Sequence, residues 1–266
     1  MILESDRPIR VVLFSGAYLD PPALRFALAL ETHPSVELVA VLCQAGAAGW
    51  RSRLRERWKR RGVLALSVVL RDLLGATSRF LRDPRGSLAR RALARRLAPR
   101  VLTVPDLHAT QVLAQVRAWQ PELGAVYGAP ILRPELFGLP KLGTFGIHHG
   151  RVPDYRGRKT TFWEIYNGEK IAGVTIQRIN AGIDTGDVVK AGEVPIGNKG
   201  YGRVERETQD LGLRLFVEAI LEARTGHTVG APQPAAGGRY YGQPKSADFL
   251  KLWLRVLGRR LGARSA

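Results

Sequence analysis

The stretch Leu142-Gly143-Thr144-Phe145-Gly146-Ile147-His148-His149-Gly150-Arg151-Val152-Pro153-Asp154-Tyr155-Arg156-Gly157 decides how this chain folds. Its first half is an apolar run, 142–148, that reads as a strand ending on a histidine pair. Its second half carries the Pro, Asp and Gly that stop a strand and open a loop. Downstream, 160–167 has helical spacing and closes on Asn167-Gly168-Glu169, and 171–179 reads as a strand containing Gly173-Val174-Thr175. Gly182-Ile183-Asp184-Thr185-Gly186-Asp187 then turns the chain into a strand over 187–194, so these two strands form a hairpin across Asp184.

Working outward, 9–15 is an apolar run closed by Gly16, Pro21-Pro22 opens a helix to Thr32, and 36–42 is a second apolar run. Strands apolar on both faces and joined by a helix imply a parallel sheet with helices on both sides. Gly16 is not part of a G-x-G-x-x-G, which gives a dinucleotide site little support. The strand rhythm stops over 45–99, where Leu66, Val69, Leu70, Leu73 and Leu74, then Ala89, Leu93 and Leu97, recur at helical spacing. Two or three helices are expected there, turning at Asp83-Pro84-Arg85-Gly86. The α/β pattern resumes with a strand at 100–104, a helix at 110–119 and a strand at 123–127, and a helix over 211–224 closes the domain at Gly226. In the tail, Phe249, Trp253 and Leu257 fall on one face of a helix and Lys251, Arg255 and Arg259 towards another, a basic amphipathic pattern. The expected organisation is an α/β, Rossmann-like domain over 1–225 with a basic helical insertion at 45–99, and a short extension over 226–266.

With 266 residues, 45% of them apolar, the chain can bury one large core. Its one cysteine, Cys43, excludes a disulfide framework and a cysteine zinc cluster, and reads as a small core residue. No metal site is expected. The first strand starts at Ile9 without a leader pattern and no apolar run reaches the roughly 18 residues of a spanning helix, so the expectation is a cytoplasmic protein. Net charge is +18, of which +13 lies in 51–100 and +5 from Lys245 onward. The motif region is balanced, and the basic segments read as a separate attachment surface.

Order and spacing of the motifs resemble the core of the folate-dependent formyltransferases. In that family a strand ends in Asn-x-His before a Leu-Pro-x-x-Arg-Gly loop, an Asn-Gly-Glu helix end, a Gly-Val-Thr strand and a Gly-x-Asp-Thr-Gly loop. One position departs: Gly146 stands where the family has its catalytic Asn. The resemblance covers 120–194 specifically and 9–42 weakly. It implies transfer of a formyl group from 10-formyltetrahydrofolate to an amine, with His148 as acid/base and donor to the oxyanion and Asp184 orienting it. It also implies that Tyr127, Gly128, Ile131, Val152, Pro153, Gly182 and Ile183 wall the folate pocket, and that His149, Tyr155 and Arg156 border the acceptor. Taken singly, His148 only ends a strand, Asp184 only makes a turn, and Arg156 only fixes a loop. With Gly at 146, the missing donor would have to be His149, Thr144, Gln177 or a water, and His149 should point to the opposite side of the strand from His148.

Relatives acting on initiator tRNA continue into a C-terminal barrel, for which about forty residues after 224 are too few, so the expected acceptor is a small amine such as an amino sugar. The alternatives are a relative that binds folate or a metabolite without transfer, and a protein that uses the arginine-rich insertion to bind nucleic acid or an anionic membrane. An anionic lipid or lipid-linked substrate, with the protein peripheral to the membrane, suits Trp50, Trp58 and Trp253 beside basic clusters.

Overall fold

The computed structural model describes residues 7–16, 21–44, 92, 95–226, 230–234 and 238–262. Of the helical insertion expected over 45–99, residues 45–91, 93 and 94 lie outside the described ones, and 95–97 are helical. Strands β1 (Ile9–Ser15) and β2 (Val36–Gln44) flank helix α1 (Pro21–Thr32). Then follow β3 (Val101–Val104), α2 (Thr110–Trp119), β4 (Leu123–Tyr127), the single turn α3 (Pro134–Phe137), β5 (Thr144–His148) and β6 (Tyr155–Gly157). The chain continues with α4 (Thr160–Asn167), β7 (Ile171–Arg178), β8 (Val188–Pro195), α5 (Tyr201–Arg224), β9 (Arg239–Tyr241) and α6 (Ser246–Gly262).

The main sheet has seven strands in the order β3-β2-β1-β4-β5-β7-β8. The first five are parallel, whereas β7 pairs antiparallel with both β5 and β8. Chain order reverses between β1 and β4, and in open α/β sheets the crevice beyond the carboxyl ends at such a point is where ligands bind. β1 is buried at every position but Arg10, because its Ile, Val, Leu and Phe side chains meet helices on both faces. One face packs Phe26 of α1 and Phe216 of α5 against Phe145 and Ile176. The other packs Phe14 and Leu42 against Val116 of α2, Leu107 and Leu136.

Three expectations need correction. β5 begins at Thr144, since Gly143 turns the chain at φ +86°. The closing helix begins at Tyr201 rather than 211. Its first three turns are mostly polar and bury only Val204 and Thr208, a stripe too thin to read as helix. The tail helix docks on a different face: Leu252 and Val256 enter a cluster with Phe162, Ile165 and Val204, while Phe249, Trp253 and Leu257 stay 41%, 60% and 39% exposed. Phe249 sits at the boundary with its ring 4.6 Å from Phe162. Arg255 lies over Tyr166 and donates to its carbonyl, which fixes the helix from the polar side. The two strands β6 and β9 form a small parallel ribbon, held by Tyr241 stacked between Tyr155 and Trp163.

Candidate functional site

His148 ends β5 at the carboxyl edge of the sheet and is buried. Its Nε2 lies 2.6 Å from the Tyr155 carbonyl, which assigns a proton to that nitrogen. Nδ1 faces Asp184 Oδ1 at 3.4 Å. Asp184 adopts a left-handed conformation, φ +52°, which Asp tolerates better than most residues. Its Oδ2 accepts the Gly157 N–H at 2.8 Å, and its Oδ1 accepts the Gln177 amide at 3.0 Å. The loop is anchored from behind by Gln233, whose Nε2 reaches the carbonyls of Asp184 (3.1 Å) and Gly186 (2.7 Å) and the Gln177 Oε1 (3.2 Å). Arg156 donates to Gln233 Oε1 at 2.9 Å, so Arg156 supports Asp184 through Gln233.

The His148–Asp184 pair stands between two cavities. One, of about 390 Å³, is lined by Tyr127, Gly128, His148, His149, Thr161 and, across from them, Lys159, Tyr201, Glu205 and Gln209. Glu205 accepts from the Tyr201 hydroxyl at 2.5 Å and from Lys159 Nζ at 3.0 Å. His149 lies edge-on to Tyr127, 6.0 Å between ring centres, and its buried Nε2 has no hydrogen-bond partner. Burial first, and then the adjacent His148, hold the His149 ring down to about 4, so it is neutral at physiological pH. The second cavity, of about 190 Å³, runs along Val126 and Ala129–Leu132 on one side and Gln177–Asn180 with Gly182–Gly186 on the other. Ile131 and Ile183, both strongly exposed, form its apolar rims.

The candidate residues separate accordingly. Ile131, Gly182, Ile183 and Asp184 meet at the smaller cavity, whereas Tyr127 and Gly128 face the larger one with His148 and His149. Val152 and Pro153 line neither cavity, and the Pro153 carbonyl sits close against Gly238, just before β9. Tyr155 is buried, its ring on Tyr241 and its hydroxyl on Glu169 at 2.8 Å; it meets the site through the carbonyl that holds His148. Beside Gly146 there is little free space: a Cβ built there would lie 2.6 Å from Ile179 Cδ1. Thr144 is engaged elsewhere, its hydroxyl donating to the Phe137 carbonyl at 2.7 Å. No motif in the sequence marks Gln233, Lys159 or Glu205, and Gln233 in particular belongs to a tail whose local sequence carries no signal of the contact.

At the carboxyl ends of a doubly wound α/β sheet, the His148–Asp184 pair joins two cavities, so two ligands can meet at one imidazole. Residues 10–220 match the Formyl transferase family, and the chain belongs to it. It is similar to the methionyl-tRNA formyltransferase of Ruminiclostridium cellulolyticum, with 30% identity over 144 residues, covering 53% of this chain and 46% of that protein. That of Chlamydia muridarum is 35% identical over 127 residues, covering 47% and 40%. The chain thus spans under half the length of these relatives. Among solved structures, a sugar N-formyltransferase from Shewanella sp. FDAARGOS_354 shares the fold with a TM-score of 0.56 and 17% identity, covering 94% of this chain and 88% of that one.

Proposed function

We propose that this protein transfers a formyl group from 10-formyltetrahydrofolate to a small, polar amine. The observation that carries this reading is the His148–Asp184 pair set between two cavities of different character. The smaller cavity suits the flat pterin of a folate: it lies between the 129–132 and 182–186 loops, and the exposed Ile131 and Ile183 can clasp the ring faces. When bound, the folate supplies an activated formyl carbon. The larger cavity suits a hydroxyl-bearing amine, with Glu205 placed for an ammonium and Lys159, Tyr201 and neutral His149 for oxygens.

Within this frame His148 has one nitrogen engaged on the Tyr155 carbonyl, so Nδ1 is the atom that takes or gives a proton. The Tyr155 carbonyl on Nε2 fixes the ring, and Asp184, itself held by Gly157 and Gln177, faces Nδ1 and stabilises the imidazolium that forms when Nδ1 takes the proton. Incubating the purified protein with 10-formyltetrahydrofolate and a panel of amino sugars, amino acid derivatives and initiator methionyl-tRNA, and following tetrahydrofolate release, tests the reading. Release with a small amine is expected. Release with tRNA alone would replace the acceptor, as the methionyl-tRNA relatives suggest, and folate binding without release would make the chain a folate-binding relative.

A second reading concerns location. Among the described residues no helix is long and apolar enough to cross a membrane. α6 nonetheless exposes Leu250, Trp253 and Leu254 beside Lys251 in a chain of net charge +18, which supports peripheral attachment to an anionic bilayer. Co-sedimentation with vesicles containing anionic lipid, lost in a Trp253→Asp/Leu254→Asp variant, is the expected result. Equal sedimentation of both proteins would remove α6 from the attachment.

A further inference from the structure

The proposed transfer develops negative charge on the formyl oxygen, at the junction where His148 and Asp184 meet. The amine lone pair forms a bond to the formyl carbon, the bond from that carbon to the folate nitrogen breaks, and the proton released by the amine ends on that nitrogen. No electrons are gained or lost overall. What lowers the barrier is a donor aimed at the oxygen while the charge is present. His148 Nε2 is engaged on a backbone carbonyl, and the Thr144 hydroxyl on another. Gly146, on the same face of β5 as His148, has no side chain to offer.

Resting on that reading of the site, we propose that Gln177 is a catalytic residue and supplies this donor from the neighbouring strand. Gln177 is the direct antiparallel partner of Gly146, as Thr175 is of His148. Opposed residues of an antiparallel pair project from the same face with Cβ atoms about 5 Å apart. The Gln177 side chain therefore projects from the same face of the sheet as Gly146 and His148. It is 3% exposed and lines the smaller cavity together with Asp184. Its amide nitrogen donates to the same Asp184 oxygen that faces His148 Nδ1, and its carbonyl oxygen accepts from Gln233. These two bonds fix which way the amide is turned, nitrogen towards the His-Asp pair. An amide nitrogen carries two hydrogens, and the Asp184 bond uses one. The other is a preorganised donor on the catalytic face, while Ile179 fills the space beside Gly146.

The test separates donation from mere support of Asp184. Gln177→Met keeps length and apolar bulk but removes the amide. Its kcat for tetrahydrofolate release should fall about 10²–10³-fold, with the KM for the amine and the affinity for tetrahydrofolate within about threefold of wild type. Gly146→Asn with Ile179→Val, which removes the Cδ1 atom closest to the new Cβ, should restore kcat by at least about tenfold in the Gln177→Met background. Such a variant returns an amide to this face without touching Gln233. Near-wild-type kcat in Gln177→Met would overturn the assignment. So would a fall that the 146/179 pair does not reverse although the same pair is active with Gln177 present, because Gln177 would then act only by positioning Asp184. If Gln177→Met does not fold, Gly146→Asn/Ile179→Val/Gln177→Ala carries the same comparison against Gln177→Ala. Absence of turnover by the wild-type protein with every acceptor, in contrast, removes the formyl-transfer reading itself and this assignment with it.

Discussion

Replacing Glu164 should change how the stability of this protein depends on pH. Glu164 lies on α4 and is 1% exposed. Its Oε1 accepts the N–H of Arg151 and of Gly173, each at 3.0 Å, tying the loop after His148 to β7. Its Oε2 is buried with no partner. Two amide donors and the nearby Arg151 favour the charged carboxylate, and Glu169 opposes it, but desolvation outweighs them all and raises the group from 4.5 to about 7. At about 1.4 kcal/mol per pH unit, this corresponds to roughly 3 kcal/mol. Because the folded value is raised, the stabilisation is complete below pH 4.5, declines between 4.5 and 7, and is gone above 7. Glu164→Gln keeps the acceptor for both backbone N–H groups and cannot ionise. Urea unfolding followed by circular dichroism at pH 4.5, 6, 7 and 8 gives the unfolding free energy of each protein. The wild type's own curve also contains the self-repulsion of a chain of net charge +18, so the wild-type minus Glu164→Gln difference is the quantity to plot. That difference should fall by about 3 kcal/mol from pH 4.5 to 8, with the variant gaining on the wild type as pH rises. A flat or rising difference would refute the reasoning, since it would mean that the buried carboxyl ionises at least as freely in the fold as in the unfolded chain.

Asp184→Asn keeps an acceptor for Gly157 but loses the charge facing His148, and tetrahydrofolate release should drop about 10²-fold or more; an unchanged kcat would exclude Asp184 from the proton chemistry. Gly186→Ala puts a Cβ only 1.6 Å from the Arg178 carbonyl, a backbone atom that cannot turn aside, so the 182–186 loop must shift at about 1–3 kcal/mol, visible as a lower urea midpoint together with weaker folate binding. On α6, Leu252→Ala should cost about 2–5 kcal/mol by emptying a buried site, whereas Trp253→Ala at a 60% exposed position should stay within about 0.5 kcal/mol. Equal effects of those two would contradict the docking face described above.

The parts of this molecule that could be read from its sequence are those in which neighbouring residues share one environment. β1 and β2 are apolar on both faces because helices cover both faces, and α4 runs from Thr160 to Asn167 as expected because Gly168, at φ +85°, stops it in a conformation suited to glycine. The Asp184 loop was legible for a related reason, since its glycines and its Asp in a left-handed turn are local requirements. What could not be read were the meetings of distant segments. Gln233 reaches the carbonyls of Asp184 and Gly186 from 49 and 47 residues away, and no periodicity in its own segment marks the contact. α5 kept its first turns hidden because they pack against α4 and α6 mainly through Val204 and the half-buried Tyr201, a stripe with few apolar positions among polar ones. Gly146 joins the two cases. In the sequence it is an absence, a strand position from which a donor is missing. In the fold it pairs with Gln177 across β5 and β7 and is covered by Ile179, so what stands at that position is decided by three residues on two segments. A motif read along one strand counts only side chains that strand carries, whereas an active site at the edge of a sheet draws its donors from whichever strands the register brings side by side. The loss of a motif residue is therefore grounds to inspect its cross-strand partner before concluding that the activity has gone.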